Sequence, residues 1–175
     1  MNRSIARRAL AAGLLTVVVG AGALAVISAG GSASTASPNQ PTTAKTFTVT
    51  AADGRQITNA SLRGRAHVIG FYLAGCAECV DGLHALGALE KSQPGATVAV
   101  GFSSGARELA RFASAIGARA AGTYATDPDG AAASTLGITT VDSTVVLDAR
   151  GRIFWRGTNA SEQELRRQLA RAATT

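Results

Sequence analysis

Cysteine is scarce in this sequence: Cys76 and Cys79 are the only two among 175 residues, and two residues separate them. The chain also has only two histidines. We expect His67 to be a polar residue at a strand edge and His84 to face solvent on a helix. A closed zinc site needs four ligands, so the two cysteines alone do not complete one. No cysteine lies near the N-terminal apolar run, which excludes an anchor attached through a lipid-modified cysteine.

Aromatic residues make up only 5% of the chain, and its positive charge is not clustered. The formal net charge is +6, but Arg3, Arg7 and Arg8 supply three of the positive charges before the first apolar run begins. Beyond residue 36 the arginines are scattered, and only Arg166 and Arg167 are adjacent. A nucleic-acid groove needs a clustered basic patch with stacking aromatics. The composition therefore indicates a solvated, mildly basic surface and no nucleic-acid partner.

Residues 1–36 are expected to be a signal peptide or an N-terminal membrane anchor. The apolar run 9–31 contains no charged residue, and its 23 residues suffice to cross a bilayer. Small residues at 31–36 offer cleavage sites, so both readings stay open. The basic flank stays in the cytoplasm in either case, so the remainder is expected to be extracytoplasmic, anchored or secreted. Residues 37–45 predict a flexible linker ahead of a domain at 46–175.

The domain alternates strand and helix patterns, which predicts an α/β fold with a central mixed sheet flanked by helices. A β-hairpin at its N-terminus precedes this sheet. A capping box of Ser161 and Glu164 opens the last helix. In chain order the predicted elements are a hairpin at 46–57, a strand at 67–73, a helix at 77–91, a strand at 97–102, a helix at 106–117, a weak apolar stretch near Tyr124, a brief helix at 131–137, a strand at 143–148 paired with 152–156, and a helix at 164–172.

The cysteines follow directly after the predicted buried strand, at the start of a helix. Unpaired backbone N–H groups and the helix dipole favour negative charge there, so the thiolate of Cys76 is favoured and Cys76 is the expected attacking thiol. Cys79 lies one turn further in, which suits a resolving thiol. A purely structural disulfide is possible outside the cytoplasm, but it would close a very short loop and constrain the unfolded chain little.

The stretch SLRGRAHVIGFYLAGCAEC, residues 61–79, resembles the opening of the TlpA/ResA-type extracytoplasmic thiol-disulfide oxidoreductases and of the wider redoxin family. Later segments keep the order of that family, so the resemblance covers about residues 47–172. It implies a thioredoxin-like fold, Cys76 as nucleophile, Cys79 as resolving thiol and no organic cofactor. It also implies exported cysteine-containing proteins as substrates and a membrane thiol as electron donor.

Three positions depart from the family pattern. Gly75 stands where an aromatic residue commonly precedes the first cysteine, and Gly70 stands where thioredoxins carry an acidic residue, so a proton relay there is missing. Asp142 occupies the position of the family's cis-proline, and none of the chain's four prolines lies close enough in sequence to take its place. Because a cis bond before a residue other than proline is costly, the peptide between Val141 and Asp142 is expected to be trans. The loop that would dock a substrate is therefore altered.

Negative charge near the cysteines predicts a reductant rather than a strong oxidant. If Asp142 faces Cys76, its charge opposes the thiolate and raises the pKa of the thiol, and Glu78 acts in the same direction. A less stable thiolate makes the disulfide harder to reduce. Alternatively, the side chain of Asp142 caps a turn with Ser143 and Thr144.

Two other functions remain as alternatives. One is a redoxin-fold metal carrier that binds a soft ion such as Cu(I) or Zn(II) through Cys76 and Cys79, with help from Asp142. The other is a redoxin-type peroxidase in which Cys76 attacks peroxide. Against the peroxidase, the threonine and proline that such enzymes place just upstream of the reactive cysteine are absent from residues 71–75.

Overall fold

The structure is a computed structural model that describes residues 42–118 and 121–175. Both stretches belong to one compact unit, residues 36–175. The predicted signal peptide or anchor at 1–36 lies outside the described residues. Within the described ranges, no helix is long and apolar enough to cross a membrane.

The described residues form seven strands and four helices, in the order that the hydrophobic pattern predicts with one exception. The exception is a strand at Thr123–Asp127, where the sequence shows only a weak apolar stretch, because Tyr124 is its one large side chain and it contains no valine, isoleucine, leucine or phenylalanine. The elements are β1 Thr48–Ala51, β2 Gln56–Thr58, β3 His67–Tyr72, α1 Cys79–Ser92, β4 Thr97–Phe102, α2 Ala106–Ala115, β5 Thr123–Asp127, α3 Ala131–Thr135, β6 Ser143–Leu147, β7 Ile153–Thr158 and α4 Glu162–Ala172.

The strands form one mixed sheet in the order β2-β1-β5-β4-β3-β6-β7. Strands β3, β4 and β5 run parallel, whereas β6 is antiparallel to β3, and β7 is antiparallel to β6. The missed strand β5 joins the β1–β2 hairpin to the sheet through antiparallel pairing with β1. Strand β3 is central and buried along its whole length, so the cysteines that follow it leave the middle of the sheet.

Two apolar clusters cover the two faces of the sheet. Because side chains alternate along a strand, Val68 and Tyr72 of β3 join one cluster, and Ile69 and Phe71 join the other. The first cluster includes the buried faces of α1, α2 and α4, and the second includes α3. Helix α1 therefore packs on the face of the sheet to which Tyr72 points.

The folded region begins earlier than the predicted residue 46. Thr42 exchanges two backbone hydrogen bonds of 3.0 Å with Ile153 at the start of β7, and Ala44 is buried. The C-terminal end of the predicted linker 37–45 is therefore part of the domain. At the other end of the chain, Ser161 caps α4 as predicted, accepting a 3.3 Å bond from the amide of Glu164.

Candidate active site

Cys76 and Cys79 form a disulfide, with their Cα atoms 5.3 Å apart. The pair lies between the C-terminal end of β3 and the start of α1. Cys79 is the first residue of α1 and has no exposed surface, whereas Cys76 is partly exposed. A partner molecule therefore meets the sulfur of Cys76 before that of Cys79.

Helix α1 begins at Cys79 rather than at the predicted Ala77, and Glu78 is its N-cap residue. The amide of Cys76 donates a 3.2 Å hydrogen bond to Leu73, and the amide of Cys79 donates a 3.3 Å bond to Cys76. Two successive turns thus lead from the strand into the helix. Cys76 lies three residues before the first helical residue, still beside the positive end of the helix dipole.

Gly75 has a left-handed backbone, with φ of +84°. It occupies the third position of the turn from Leu73 to Cys76, which in a type II turn requires a positive φ. Apart from its chain neighbours, a Cβ at Gly75 would meet no atom within 4 Å, so the backbone and not a collision disfavours a side chain there. The left-handed turn therefore favours glycine over an aromatic residue at position 75.

Glu78 is the acidic side chain that touches the disulfide. It does not cap the helix with its side chain, and its Oε2 atom lies 3.5 Å from the Sγ atom of Cys76. A disulfide sulfur carries no proton, so this contact is not a hydrogen bond in the oxidised protein. After reduction, the carboxylate faces any negative charge that develops on Cys76.

Asp142 lies across the sheet from Tyr72. The last paired residues of β3 and β6 are Phe71 and Ser143, and one further step of this antiparallel register brings Tyr72 opposite Asp142. The backbone of Asp142 is left-handed, with φ of +52°, whereas proline is fixed near about −65°. Proline therefore does not fit this backbone, and the loop differs in shape from one built on a cis-proline.

Two glycines make room for the side chains of Tyr72 and Asp142. A Cβ at Gly70 would collide with the ring of Tyr72, and a Cβ at Gly82 would collide with Oδ1 of Asp142. The hydroxyl of Tyr72 donates a 3.1 Å hydrogen bond to the carbonyl of Gly82. The space beside Gly70 is thus filled by the ring of Tyr72, and the nearby buried acid, Asp142, comes from the loop before β6.

Sequence reasoning missed Tyr72, Gly82 and Asp81 as members of the site. The available signal was the pair of glycines, Gly70 and Gly82, inside apolar patterns of a central strand and a helix, because a buried glycine there leaves space that another side chain fills. Which side chains fill it depends on the pairing of β3 with β6, which the local pattern does not specify.

Asp142 is only 3% exposed, and its Oδ1 atom has no hydrogen-bond partner among the described residues. Burial and the nearby charge of Asp81 raise the pKa of Asp142 from 3.8 to about 6. Burial and the charge of Asp142 also raise the pKa of Tyr72. The alternative of a turn cap made by Oδ1 is not seen, and Ser143 pairs instead with Thr140, hydroxyl to hydroxyl, at 3.1 Å.

The histidines lie apart from one another. His84 is exposed on α1, as predicted. His67 is buried at the start of the central strand, not at a strand edge, and it lies 3.1 Å from the carbonyl of Arg65. Burial lowers the pKa of His67. In the part of the chain that the structure describes, no group of three or more histidine, cysteine, aspartate or glutamate side chains is arranged to hold a metal ion.

Comparisons with known proteins agree with this geometry. The redoxin family model matches residues 39–174. MTB DsbF is 22% identical, with a TM-score of 0.62 over 72% of this chain and 94% of that one. A secreted Mycobacterium tuberculosis disulfide oxidoreductase homologous to E. coli DsbE is 22% identical, with a TM-score of 0.57 over 71% and 95% of the two chains. A thioredoxin-family thiol:disulfide interchange protein from Chlorobium tepidum is 20% identical, with a TM-score of 0.58 over 77% and 97%.

No curated protein sequence matches the chain. The solved structures share its fold, and the family match covers almost all of the domain. The Cys-x-x-Cys disulfide lies at the strand-to-helix junction that the thioredoxin-like fold provides. The chain belongs to the redoxin family, and it is a thioredoxin-like thiol-disulfide oxidoreductase.

Proposed function

We propose that the protein works outside the cytoplasm as a reductant of disulfides in exported cysteine-containing proteins. The observation that carries this proposal is the asymmetric pair, in which Cys76 is partly exposed and Cys79 is buried. The expected N-terminal signal or anchor supports the location, as does the likeness to a secreted disulfide oxidoreductase. Residues 1–36 would be removed on export or retained as the anchor.

The reaction consists of two exchange steps. The thiolate of Cys76 attacks one sulfur of the partner's disulfide, forming a mixed disulfide and releasing the other sulfur as a thiolate that takes up a proton. Cys79 then loses its proton and attacks the sulfur of Cys76, which re-forms the Cys76–Cys79 bond and releases the second partner thiolate. The partner gains two electrons and two protons. A membrane thiol donor restores the dithiol by the same exchange in reverse.

The direction of this reaction follows from charge. Glu78 lies 3.5 Å from the sulfur of Cys76, and its carboxylate opposes the thiolate. Because the attacking thiol is less stable as an anion, the disulfide is harder to reduce and the dithiol is the stronger electron donor. Leu73, an exposed residue three positions before Cys76, offers apolar surface to a protein substrate.

A reaction of the reduced full chain with insulin tests this function. We expect the wild-type dithiol to be oxidised as insulin disulfides are cleaved. The Cys79→Ser variant should accumulate a mixed disulfide at Cys76, and the Cys76→Ser variant should not react. Equilibration with glutathione should give a reduction potential more negative than about −200 mV. Failure of Cys79→Ser to form the mixed disulfide would refute the exchange mechanism. A potential near about −120 mV, typical of strong oxidants, would refute the reducing direction.

A further inference from the structure

A cavity of about 410 Å³ opens beside the disulfide, and its described lining is acidic. It lies between the first turns of α1 and the loop from β7 to α4. Glu78 lines the cavity, and its Oε2 atom lies 3.5 Å from the sulfur of Cys76, so this side chain connects the cavity to the attacking atom. We call this cavity the acidic groove; its lining residues are Glu78, Asp81, Gly82, Asp142, Asn159, Ala160 and Ser161.

Asp142 sets this groove apart from an ordinary cluster of surface carboxylates. Two other aspartates of the domain, Asp127 and Asp148, are as deeply buried. Asp127 accepts backbone hydrogen bonds of 3.1 and 2.8 Å at the start of α3, and Asp148 accepts three bonds within its turn. Oδ1 of Asp142 accepts none from the described residues. A buried carboxylate whose oxygen lacks a donor is costly when charged, so a positive charge brought to the groove by a bound partner would be favoured.

The groove also lacks an internal counter-ion. Of the described residues that line it, none is basic. Ion pairs elsewhere in the domain engage Asp53, Asp148, Glu162 and Glu164, but within the described ranges Asp81 and Asp142 have none. The three carboxylates are not arranged to hold a single metal ion. A forked guanidinium or a long ammonium side chain, with several donors spread over a few ångströms, fits this arrangement better.

The loop geometry holds the floor of the groove in place. Asp142 and Asn159 both have left-handed backbones, and the amide of Asn159 donates a 3.0 Å hydrogen bond to the carbonyl of Asp142. This bond continues the β6–β7 ladder by one step beyond Ser143 and Thr158. The backbone that carries the carboxyl of Asp142 is thus held in place by main-chain hydrogen bonding, next to Gly82.

We propose that the acidic groove binds an arginine or lysine side chain that flanks the reactive cysteine of the partner protein. The inference rests on the proposed function and names its substrate class: exported proteins whose exchanging cysteine has a basic neighbour. The cationic group would pair with Asp81 and with the negative charge of the Asp142 carboxylate while the partner's sulfur lies at Cys76, and Oδ1 itself would stay buried against Gly82. The protein would then select among partner disulfides by the charge beside the partner's cysteine as well as by how exposed the partner's disulfide is.

Two synthetic peptides test this inference. Each is cyclised by one disulfide, and they differ only in the residues on both sides of one cysteine, which are arginine in one peptide and its neutral isostere citrulline in the other. The measurement is the second-order rate constant for oxidation of the reduced full chain at pH 7.5. We expect the arginine peptide to react about tenfold faster at low salt, and the ratio to fall towards one in 0.5 M salt.

Variants assign the effect to the groove. Asp81→Asn, on an exposed side chain, and Asp142→Asn, an isostere that tolerates a left-handed backbone, should each reduce the arginine-to-citrulline ratio severalfold. Asp53→Asn, which removes the same charge from the distant β1–β2 turn, should leave the ratio unchanged. Equal rates for the two peptides, or an undiminished ratio in Asp81→Asn, would overturn the inference while leaving the proposed function intact. If neither peptide oxidises the protein, the proposed function fails as well.

Discussion

Oδ1 of Asp142 lies where the side chain of residue 82 would begin, so Asp142 and Gly82 share one space. The carboxyl of a loop residue thereby reaches the backbone of α1 one helical turn beyond the disulfide. The hydroxyl of Tyr72 binds the carbonyl of the same glycine. Strand β3, the loop before β6 and helix α1 thus meet at Gly82, three residues after Cys79.

Gly82→Ala tests this contact. Alanine is the better helix former by about 1 kcal/mol, so local propensity alone predicts stabilisation. The collision with Asp142 predicts instead a net loss of about 2 kcal/mol or more in the free energy of unfolding, measured by chemical denaturation. Adding Asp142→Gly, which removes the carboxyl and suits the left-handed backbone, should recover most of that loss. Equal losses in the single and double variants would show that the two residues do not compete for space.

The charge of Asp142 should make stability depend on pH. Because burial, and then Asp81, raise its pKa from 3.8 to about 6, the folded protein holds this proton more tightly than the unfolded chain does. Stability from this group is therefore greatest below about pH 4, falls as the pH rises to about 6, and then levels off. Asp142→Asn removes this titrating group. Between about pH 4 and pH 6, the free energy of unfolding of the variant should therefore rise relative to that of the wild type, by at most about 3 kcal/mol, as measured by thermal unfolding. A constant difference between the two proteins from pH 4 to pH 7.5 would contradict the shifted pKa.

Substitution of Gly75 should destabilise the protein because residue 75 has a left-handed backbone. Its φ is +84° and a Cβ would meet open space, so Gly75→Ala should cost about 1–2 kcal/mol through strain and not through collision. Gly75→Asn should cost less, because asparagine adopts left-handed backbone more readily. Urea denaturation of the two variants compares them directly. If both cost the same, the loss does not come from the left-handed backbone.

The order of strands and helices, and the cysteines at a strand-to-helix junction, follow from local hydrophobic periodicity, and this part of the sequence prediction is confirmed. The pattern does not reveal β5 because Tyr124 is the one large side chain in Thr123–Asp127 and because the place of this strand is set by pairing with β4 and β1. The start of α1 differs by two residues from the prediction, since two turns precede it.

The candidate site was only half predictable. Cys76, Cys79 and Glu78 are neighbours in sequence, so their proximity needed no tertiary information. Asp142 stood out only as a misfit in a family pattern, and its place opposite Tyr72 depends on the pairing of Phe71 with Ser143, which are 72 positions apart. Such nonlocal register is fixed by the whole sheet, so a local pattern does not reveal that a buried acid from the loop before β6 lies opposite Tyr72.

Glu78→Gln tests how charge beside the disulfide sets the reactivity of Cys76. The carboxylate lies 3.5 Å from the sulfur, and two charges about 4 Å apart in a water-like environment interact by about 1 kcal/mol. Removing the charge should increase the thiolate fraction of Cys76 near neutral pH. In a Cys79→Ser background, alkylation of Cys76 by iodoacetamide at pH 7 should then be about fivefold faster. In the two-cysteine protein, the reduction potential should become less negative.

Asp53→Asn serves as the control, since it removes an equal charge far from the cysteines and should change neither the alkylation rate nor the reduction potential. A slower alkylation in Glu78→Gln would mean that Glu78 assists deprotonation of Cys76, which would reverse the argument for a reducing couple.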